Sequence, residues 1–475
     1  MRLLIAGGGG FRVPLIYRAL VSGPFAGLVT ELVLHDVDPA RLQAVTAVLQ
    51  SMPGSQSARL PVHATTDLAA ALTGTGMVFA AIRPGGTAGR VADETVAQDL
   101  GLLGQETTGA GGISYALRTI PRMLDLARLM REHCPDAWLI NFTNPAGMVT
   151  EALLPVLGQR AIGICDSAGG LVQRAAGAAG VPLPVGRLDG VRYYGLNHLG
   201  WLYRLESGGR DVLPHLLADA GALQSFEEGR LFPQPFLAAL GLLPNEYLYY
   251  YYRHEFARQA MRAMAQTRGE SIHNQQQELY PRLAAAGPGA YLLWEEARRS
   301  REEGYLAEAR CDGERRNEED LAGGGYERVA LAAMRALAGG GETQLILNTR
   351  NALFPLGAPE PRAHTPAGAD PGPSQPAVPG LPADAVVEVP CTVTPAGAVP
   401  LPQQIPAGAQ LGLLQRVKEV ERLTVRAATY GDRSAALAAF ARHPLVDSAD
   451  LAARLLAGYE QAFPDLGKMW EGSER

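Results

Sequence analysis

The sequence predicts an α/β protein with a doubly wound, mostly parallel sheet of the Rossmann type, followed by a helix-rich α+β part. Two observations predict this fold class. Short apolar runs alternate with amphipathic stretches over about the first 185 residues, as expected of successive β-α-β units. Four consecutive glycines, Gly7 to Gly10, follow the first apolar run and precede a helical pattern, which is where dinucleotide-binding loops lie.

The individual elements of this first part follow from the length and period of each segment. Apolar runs of strand length predict strands at residues 3–6, 32–35, 77–80, 138–142 and 161–164. The amphipathic stretches between them predict helices at residues 13–22, 39–52, 113–131 and 146–157.

The pattern changes after residue 185, so we predict two domains, 1–185 and 186–475. In the second, residues 191–195 and 201–205 read as paired strands that flank a loop, and a long helical region follows from about 216 to 338. Further strands are predicted at 343–349 and 386–393, and helices from 411 onward. Residues 355–384 are rich in Pro, Gly and Ala and predict a surface excursion or mobile loop.

Composition excludes several classes of protein. A net charge of −6 argues against a nucleic-acid surface. We see no uninterrupted apolar stretch of membrane-spanning length and no signal-peptide pattern at the start. The four cysteines are far apart and form no C-x-x-C pair, which suits a reducing compartment: Cys134, Cys165, Cys311 and Cys391. We therefore expect a cytoplasmic protein that acts on a small molecule.

The glycine loop is the first candidate binding site. Gly7, Gly8, Gly9 and Gly10 let the backbone approach a pyrophosphate at a helix N-terminus, although Arg12 occupies the third glycine position of the usual motif. Asp36, at the end of the second predicted strand, favours NAD over NADP because a carboxylate there repels a 2′-phosphate. The alternative interpretation is a tight strand-to-helix turn with a surface aspartate.

Cys165 and Asp166 form the second candidate site, at the carboxyl end of a buried strand, where ligands bind in open α/β sheets. His198 lies in the loop between two later strands. A thiolate and an imidazole suit Zn, Mn or Fe, and two protein ligands leave room for substrate oxygen atoms. The alternative is that these are unrelated core residues.

Several polar residues follow predicted strands or begin predicted helices. Arg83 and Asn144 lie just after strands, and Glu106 lies in a glycine-bounded loop before a helix. Ordinary capping explains such residues as well as substrate binding does. Among the tyrosines of residues 247–252, most suit core packing, but a phenol beside a cation is a candidate base. Arg268 is either a solvated helix charge or an anion clamp.

Taken in order, these segments resemble glycoside hydrolase family 4, the NAD- and metal-dependent 6-phospho-glycosidases. The resemblance runs nearly end to end. It rests on Gly7–Gly10, Asp36, 82–86, 104–112, 141–151, Cys165-Asp166, 195–201, 387–391 and 421–425.

The resemblance implies a redox-assisted elimination that replaces the usual two-carboxylate chemistry. NAD oxidises C3 of the sugar, a tyrosine removes the C2 proton, the aglycone leaves from C1, water adds, and NADH returns the hydride. It also implies a divalent metal, most readily Mn²⁺, and a homodimer or homotetramer. By position, the resemblance implies that Cys165 and His198 are metal ligands and that Asp166 is the general acid. It implies Tyr247 as the base, with Tyr249 or Tyr250 as alternatives, and Glu106 as a residue that makes this tyrosine more basic. It implies substrate contacts for Arg83, Asn144 and Arg268.

The branch of the family is the remaining question. Asp166 resembles the 6-phospho-α-glucosidases, whereas 104–112 and 141–151 resemble the β branch, and the residues after Asp166 fit neither. The longer resemblance favours 6-phospho-β-glucosides as substrates. Arg12 and the unusual residues after Asp166 keep open a glycosidase for unphosphorylated or uronic-acid sugars. The glycine loop and Asp36 alone also permit a sugar-acid or hydroxy-acid dehydrogenase, or an inactive NAD-binding regulator.

Overall fold

The computed structural model describes residues 1–54, 60–310, 316, 325–353 and 375–471. Its strands join one mixed 13-stranded sheet. The strands are β1 Arg2–Ala6, β2 Glu31–His35, β3 Val62–Thr65, β4 Met77–Ala80, β5 Trp138–Asn141, β6 Ala161–Gly163, β7 Val191–Leu196, β8 Leu199–Ser207, β9 Arg210–Asp211, β10 Leu243–Pro244, β11 Thr343–Arg350, β12 Val386–Thr394 and β13 Gly397–Pro400.

The helices occupy both faces of the sheet and the segments between its later strands. They are α1 Val13–Ser22, α2 Pro39–Ser51, α3 Leu68–Leu72, α4 Gly86–Asp99, α5 Ala110–His133, α6 Ala146–Leu157, α7 Ser167–Ala178, α8 Leu213–Ala218, α9 Ala220–Gln224, α10 Glu227–Leu231, α11 Gln234–Leu240, α12 Tyr249–Tyr252, α13 His254–Ala263, α14 Arg268–Ala285, α15 Ala290–Glu303, α16 Tyr326–Leu337, α17 Gly408–Tyr430, α18 Arg433–Arg442, α19 Ala449–Ala462 and α20 Pro464–Glu471.

The first half of the sheet is parallel, with strand order β3-β2-β1-β4-β5-β6. This confirms the predicted doubly wound α/β class. Successive residues of a strand pack into hydrophobic cores on opposite faces of the sheet. Leu3 and Ile5 pack on one face, and Leu4 packs on the other. The apolar runs therefore mark strands that are buried on both faces. The pattern missed β3 and α4, because β3 is only partly buried and α4 buries charged side chains such as Arg90.

The later strands extend the same sheet in antiparallel pairings. Beyond β6 the order continues β11-β12-β7-β8-β10. One transverse row of Cα partners therefore crosses from the first half of the chain into the second: Gly163, Asn348, Glu388 and Gly195. Both halves of the chain contribute strands to this row, and the division at residue 185 stays a prediction.

The Pro- and Gly-rich segment falls largely outside the described residues, at 354–374. Its described remainder, 375–384, is anchored on the body of the protein. Val378 is fully buried, and the Asn351 side chain donates to the carbonyls of Val378, Leu381 and Pro382. This remainder is therefore not a free surface loop.

Over the described ranges, no helix is long and apolar enough to cross a membrane.

Candidate active site

A cavity of about 2010 Å³ lies where the parallel strands end. It runs from the glycine loop after β1 to the loops after β6 and between β7 and β8. Of the residues predicted to form the site, Gly8, Gly9 and Tyr249, an alternative candidate for the base, do not line it. This is the position at which open α/β sheets bind their ligands.

The glycine loop turns tightly against β2. The amides of Gly7 and Gly8 both donate to the His35 carbonyl, and the Gly9 amide donates to Asp36 Oδ2 at 3.0 Å. Gly7 has a φ of +91°, and a Cβ there would lie 2.5 Å from the Ala81 carbonyl oxygen. The loop thus needs glycine on steric grounds, and it leaves open space in front of α1 for a ligand phosphate.

Aromatic side chains from the second half of the chain hold this loop. Their donors bond to loop carbonyls as follows: Tyr280 Oη to Gly9 O at 2.8 Å, Trp294 Nε1 to Phe11 O at 2.8 Å, and Tyr326 Oη to Arg12 O at 2.6 Å. No sequence pattern indicated these contacts, because tyrosine and tryptophan in a helix ordinarily indicate packing only.

Cys165 and His198 meet at the wall of the cavity. Cys165 Sγ lies 3.6 Å from His198 Nε2, and both residues are buried. His198 sits at the tip of the β7–β8 hairpin with a φ of +62°. Burial lowers the pKa of His198 to about 3, which favours the neutral imidazole, in which one ring nitrogen can bind a metal.

The donor set fits a divalent transition metal. A sulfur and an imidazole nitrogen converge, and Asp166 Oδ1 lies 3.9 Å from Cys165 Sγ. Within the described ranges, no group of three or more His, Cys, Asp and Glu side chains is arranged to hold a metal. A metal at the pair would therefore keep coordination positions open for ligand oxygens.

Tyr247 is in direct contact with one member of this pair. Its ring stacks on the His198 ring with centroids 3.7 Å apart and planes 6° from parallel. Tyr250 lines the cavity but donates to Glu308 Oε1 at 2.6 Å, and Tyr249 does not line the cavity. Of the three candidates for the base, Tyr247 is thus the one placed against a proposed metal ligand.

Two residues beside Tyr247 were not predicted from the sequence. Tyr305 shares a hydrogen bond with Tyr247, and its hydroxyl lies 3.4 Å from Glu246 Oε1. Burial, followed by the charge of Glu228, raises the pKa of Glu246 to about 8, which favours its protonated form. Burial raises the pKa of Tyr247 well above its usual value, and the hydrogen bond from Tyr305 opposes that effect.

Glu106 binds two arginines. Its carboxylate lies 2.7 Å from Arg83 Nη1 and 2.7 Å from Arg90 Nη1. Burial alone would raise the pKa of Glu106, but the charges of Arg83 and Arg90 lower it to about 2. Glu106 is therefore an ionised group that orients Arg83 at the cavity wall.

Asn144 also lines the cavity. Its Oδ1 is buried and has no hydrogen-bond partner in the described part of the chain, as expected of an atom that awaits a ligand.

The two remaining predicted residues, Arg268 and Asp166, lie close to other arginine side chains of the cavity wall. Arg268 donates to the carbonyls of Gly304 and Arg301, so it holds the end of α15 as well as lining the cavity. Arg12 pairs with Glu302 at 3.1 Å and reaches to 4.0 Å from Asp166 Oδ2. Asp166 is thus partly exposed to the cavity, next to a fixed cation.

Arg301 is a cavity residue that the sequence analysis missed. Burial, followed by the charges of Arg12 and Arg268, lowers the pKa of its guanidinium to about 9. Among the described residues, no carboxylate forms an ion pair with it, and its guanidinium lies 5.0 Å from the Phe11 ring centroid. Within the described part of the chain, Arg301 therefore brings to the cavity wall, beside Phe11 of the glycine loop, a positive charge without a directly paired carboxylate.

Family models match most of the chain. A model described as family 4 glycosyl hydrolase matches residues 2–181, and a model of that family's C-terminal domain matches residues 193–446.

Relatives with assigned names belong to both branches of 6-phospho-glucosidases. A probable 6-phospho-β-glucosidase of Bacillus subtilis is 28% identical over 473 residues, which cover 96% of this chain and 95% of that protein. 6-Phospho-α-glucosidase 1 of Lacticaseibacillus paracasei is 38% identical over 217 residues, 45% of this chain and 48% of that protein. The solved 6-phospho-β-glucosidase of Thermotoga maritima, crystallised with manganese, NAD⁺ and glucose-6-phosphate, is 25% identical with a TM-score of 0.77, covering 98% of this chain and 99% of that one.

Proposed function

The chain belongs to family 4 of the glycosyl hydrolases, and on that premise we propose that it hydrolyses 6-phospho-glucosides, preferably β-anomers, with NAD and Mn²⁺. One observation carries the proposal: Cys165, His198 and the stacked Tyr247 share a cavity with the glycine loop. A metal site and a dinucleotide site in one cleft suit the redox-assisted cleavage of a sugar. The β preference is supported by relatives of that name that match over the full length.

The residues present fit both cofactors. Gly7 to Gly10 and Asp36 would hold NAD, and Cys165 and His198 would hold the cation. When bound, these groups supply reversible hydride acceptance and a positive charge that favours ionised oxygen atoms beside it.

The side chains of this protein divide the proton transfers between them. Tyr247 would take the C2 proton of the sugar, with Tyr305 donating a hydrogen bond that favours its ionised form. Asp166, on the edge of the same space, would donate a proton to the leaving-group oxygen at C1. Arg83, oriented by Glu106, and Asn144, through its unpaired Oδ1, would bind sugar hydroxyls.

A phosphate group on the substrate is supported by the charge of the cavity wall. Arg301 is buried beside Arg12 and Arg268, and none of the carboxylates in the described ranges forms a direct ion pair with it. A phosphate dianion would offset this repulsion between guanidinium groups, whereas an unsubstituted sugar would leave it in place. A uronic acid also carries a negative charge, and a substrate of that kind is the second candidate.

Paired substrate assays test the proposal. Release of p-nitrophenol is measured from 6-phospho-β-glucoside, 6-phospho-α-glucoside, plain β-glucoside and β-glucuronide, with NAD, Mn²⁺ and a thiol reductant. We expect the phosphorylated β-glucoside to react fastest, and reaction to stop when NAD is omitted or the metal is chelated. Faster cleavage of the glucuronide would favour the second candidate. No turnover of either phosphorylated substrate would overturn the proposed function.

A further inference from the structure

Glu388 is a buried carboxylate near the Cys165–His198 pair for which the proposed chemistry has no use. It lies on β12 and is 1% exposed. Donors from different parts of the sheet converge on it: Tyr193 Oη at 3.0 Å, Asn348 Nδ2 at 3.1 Å and Asn197 Nδ2 at 3.4 Å. A buried carboxylate is costly unless it is bonded in this way, so its presence needs an explanation.

The sheet is built to make room for this group. Glu388 belongs to the transverse row of Cα partners that runs through Gly163, Asn348 and Gly195, and Gly200 of β8 continues that row. A Cβ on Gly163 would lie 2.8 Å from Asn348 Cβ. A Cβ on Gly200 would lie 2.2 Å from Tyr193 Oη. These glycines therefore leave space for Asn348 and Tyr193, the side chains that bind Glu388.

The same row ends next to the two proposed metal ligands. Gly163 precedes Cys165 by two positions, and Gly200 follows His198 by two positions. Asn197, one of the donors to Glu388, is the residue before His198. The φ of +62° at His198 is sparsely populated for a residue with a side chain, so the surrounding structure must hold this turn in place. Asn197 is the polar link between that turn and Glu388.

We propose that Glu388 is a positioning residue that holds the Asn197–His198 turn against the end of β6, so that the Cys165 sulfur and the His198 nitrogen face one cation. This role rests on the metal site in the proposed function. Glu388 acts through Asn197 and Asn348 and is not itself a ligand. Outer residues that orient metal ligands typically change metal affinity by about 10–100-fold when they are removed.

Binding of Mn²⁺ alone, measured by calorimetry on the full-length protein without substrate, tests this role. Glu388→Ala removes the acceptor, and we expect Mn²⁺ to bind about 10–100-fold more weakly. Glu388→Gln keeps the geometry, because its amide oxygen accepts from Asn348 and Asn197 while its amide nitrogen donates to the Tyr193 hydroxyl. We expect this variant to stay within about threefold of wild type, since the hydrogen bonds survive.

Matched variants separate positioning from general damage. Glu151 is half-buried and accepts from the Val386 amide on the same strand, but it pairs with Lys418. Glu151→Gln should bind Mn²⁺ as wild type does. Asn197→Ala truncates only a half-buried side chain; we expect it to weaken Mn²⁺ binding and to add nothing when combined with Glu388→Ala. It serves as the test if Glu388→Ala fails to fold.

Two outcomes would overturn the inference. One is wild-type affinity in both Glu388→Ala and Asn197→Ala. The other is a loss of Mn²⁺ affinity in Glu388→Gln equal to that in Glu388→Ala, because Glu388 would then act through its negative charge and not through its hydrogen bonds. A wild-type protein that binds no Mn²⁺ would overturn the metal site and this role with it. Weaker binding in Glu388→Ala, together with no turnover of any glycoside, would leave the role standing and overturn only the proposed substrate.

Discussion

Cys165 and His198, the two proposed metal ligands, follow strands β6 and β7, which are separated in the sheet by β11 and β12. The sequence placed each of them at the end or turn of a strand, which was enough to predict a ligand site. Their 3.6 Å separation depends on how later strands enter the sheet, and no local pattern encodes that. The pairing therefore rested on the family resemblance until the fold was known.

Replacing Cys165 by serine tests the metal site at this scale. The side chains have nearly the same shape, but a hydroxyl is a much poorer ligand than a thiolate for a borderline-soft metal. We expect Cys165→Ser to weaken Mn²⁺ binding at least about tenfold while the thermal midpoint of the metal-free protein changes little. Calorimetry and thermal melts measure the two quantities. The control is Cys134→Ser, which alters a buried free thiol outside the cavity. Equal affinity in both variants would remove Cys165 from the site.

Replacing Arg301 by methionine tests the phosphate contact. Methionine keeps the apolar stem and removes the charge. We expect KM for the phosphorylated glucoside to rise about tenfold or more, as for loss of a charge-assisted contact, with little change for a plain glucoside. Arg299→Met is the control, because Arg299 lies on the same helix with its side chain 64% exposed. A rise in KM that is the same for both substrates would contradict a phosphate contact.

At the scale of elements, helix α14 contributes to the nucleotide site through Tyr280, which is 271 positions from the Gly9 carbonyl that it binds. Helical periodicity indicates which face of α14 is buried but not what that face covers. For this reason the sequence predicted the glycine loop and missed the side chains that hold it.

Replacing Tyr280 by phenylalanine tests whether its hydrogen bond to the Gly9 carbonyl keeps the glycine loop in shape to bind NAD. One hydrogen bond is worth about 0.5–1.5 kcal/mol, so we expect NAD to bind roughly 2–13-fold more weakly. Tyr459→Phe loses a comparable bond, to the Asp93 carbonyl at 2.9 Å, away from the loop. Fluorescence titration with NAD should show a change in the first variant and none in the second. Equal affinities would mean that the loop keeps its shape unaided.

The end of helix α18 predicts a pH dependence of stability. His443 caps this helix, and burial, followed by the charge of Arg416, lowers its pKa from 6.5 to about 3. Below pH 6.5 the unfolded chain takes up a proton that the folded chain does not. Stability is therefore lost as the pH falls from 6.5 towards 3, by about 1.4 kcal/mol per pH unit.

The variant His443→Asn isolates this effect, because its amide oxygen can still accept from the Leu445 amide. Urea unfolding is compared at neutral pH and near pH 5. Wild type should lose roughly 2 kcal/mol more than the variant over this interval. The same pH dependence in both proteins would assign the acid sensitivity to other groups.

For the molecule as a whole, the sequence predicted the parallel strands β1, β2, β4, β5 and β6, because each is an apolar run buried on both faces, and it missed the partly exposed β3. The positions of β11 and β12 between β6 and β7 were not predictable, since strand order in a sheet is set by long-range packing. That order places Glu388 beside the proposed metal site. The charge of the cavity likewise emerged only from the fold, which gathers Arg12, Arg268 and Arg301.

The most direct test of the central claim follows aglycone release and NADH absorbance together in one reaction with the phosphorylated β-glucoside, NAD and Mn²⁺. The account predicts that release requires NAD and continues for many turnovers without net accumulation of NADH, because each cycle returns the hydride to the sugar. NADH that accumulates in proportion to substrate consumed, or aglycone release that is unaffected by removing NAD, would contradict it.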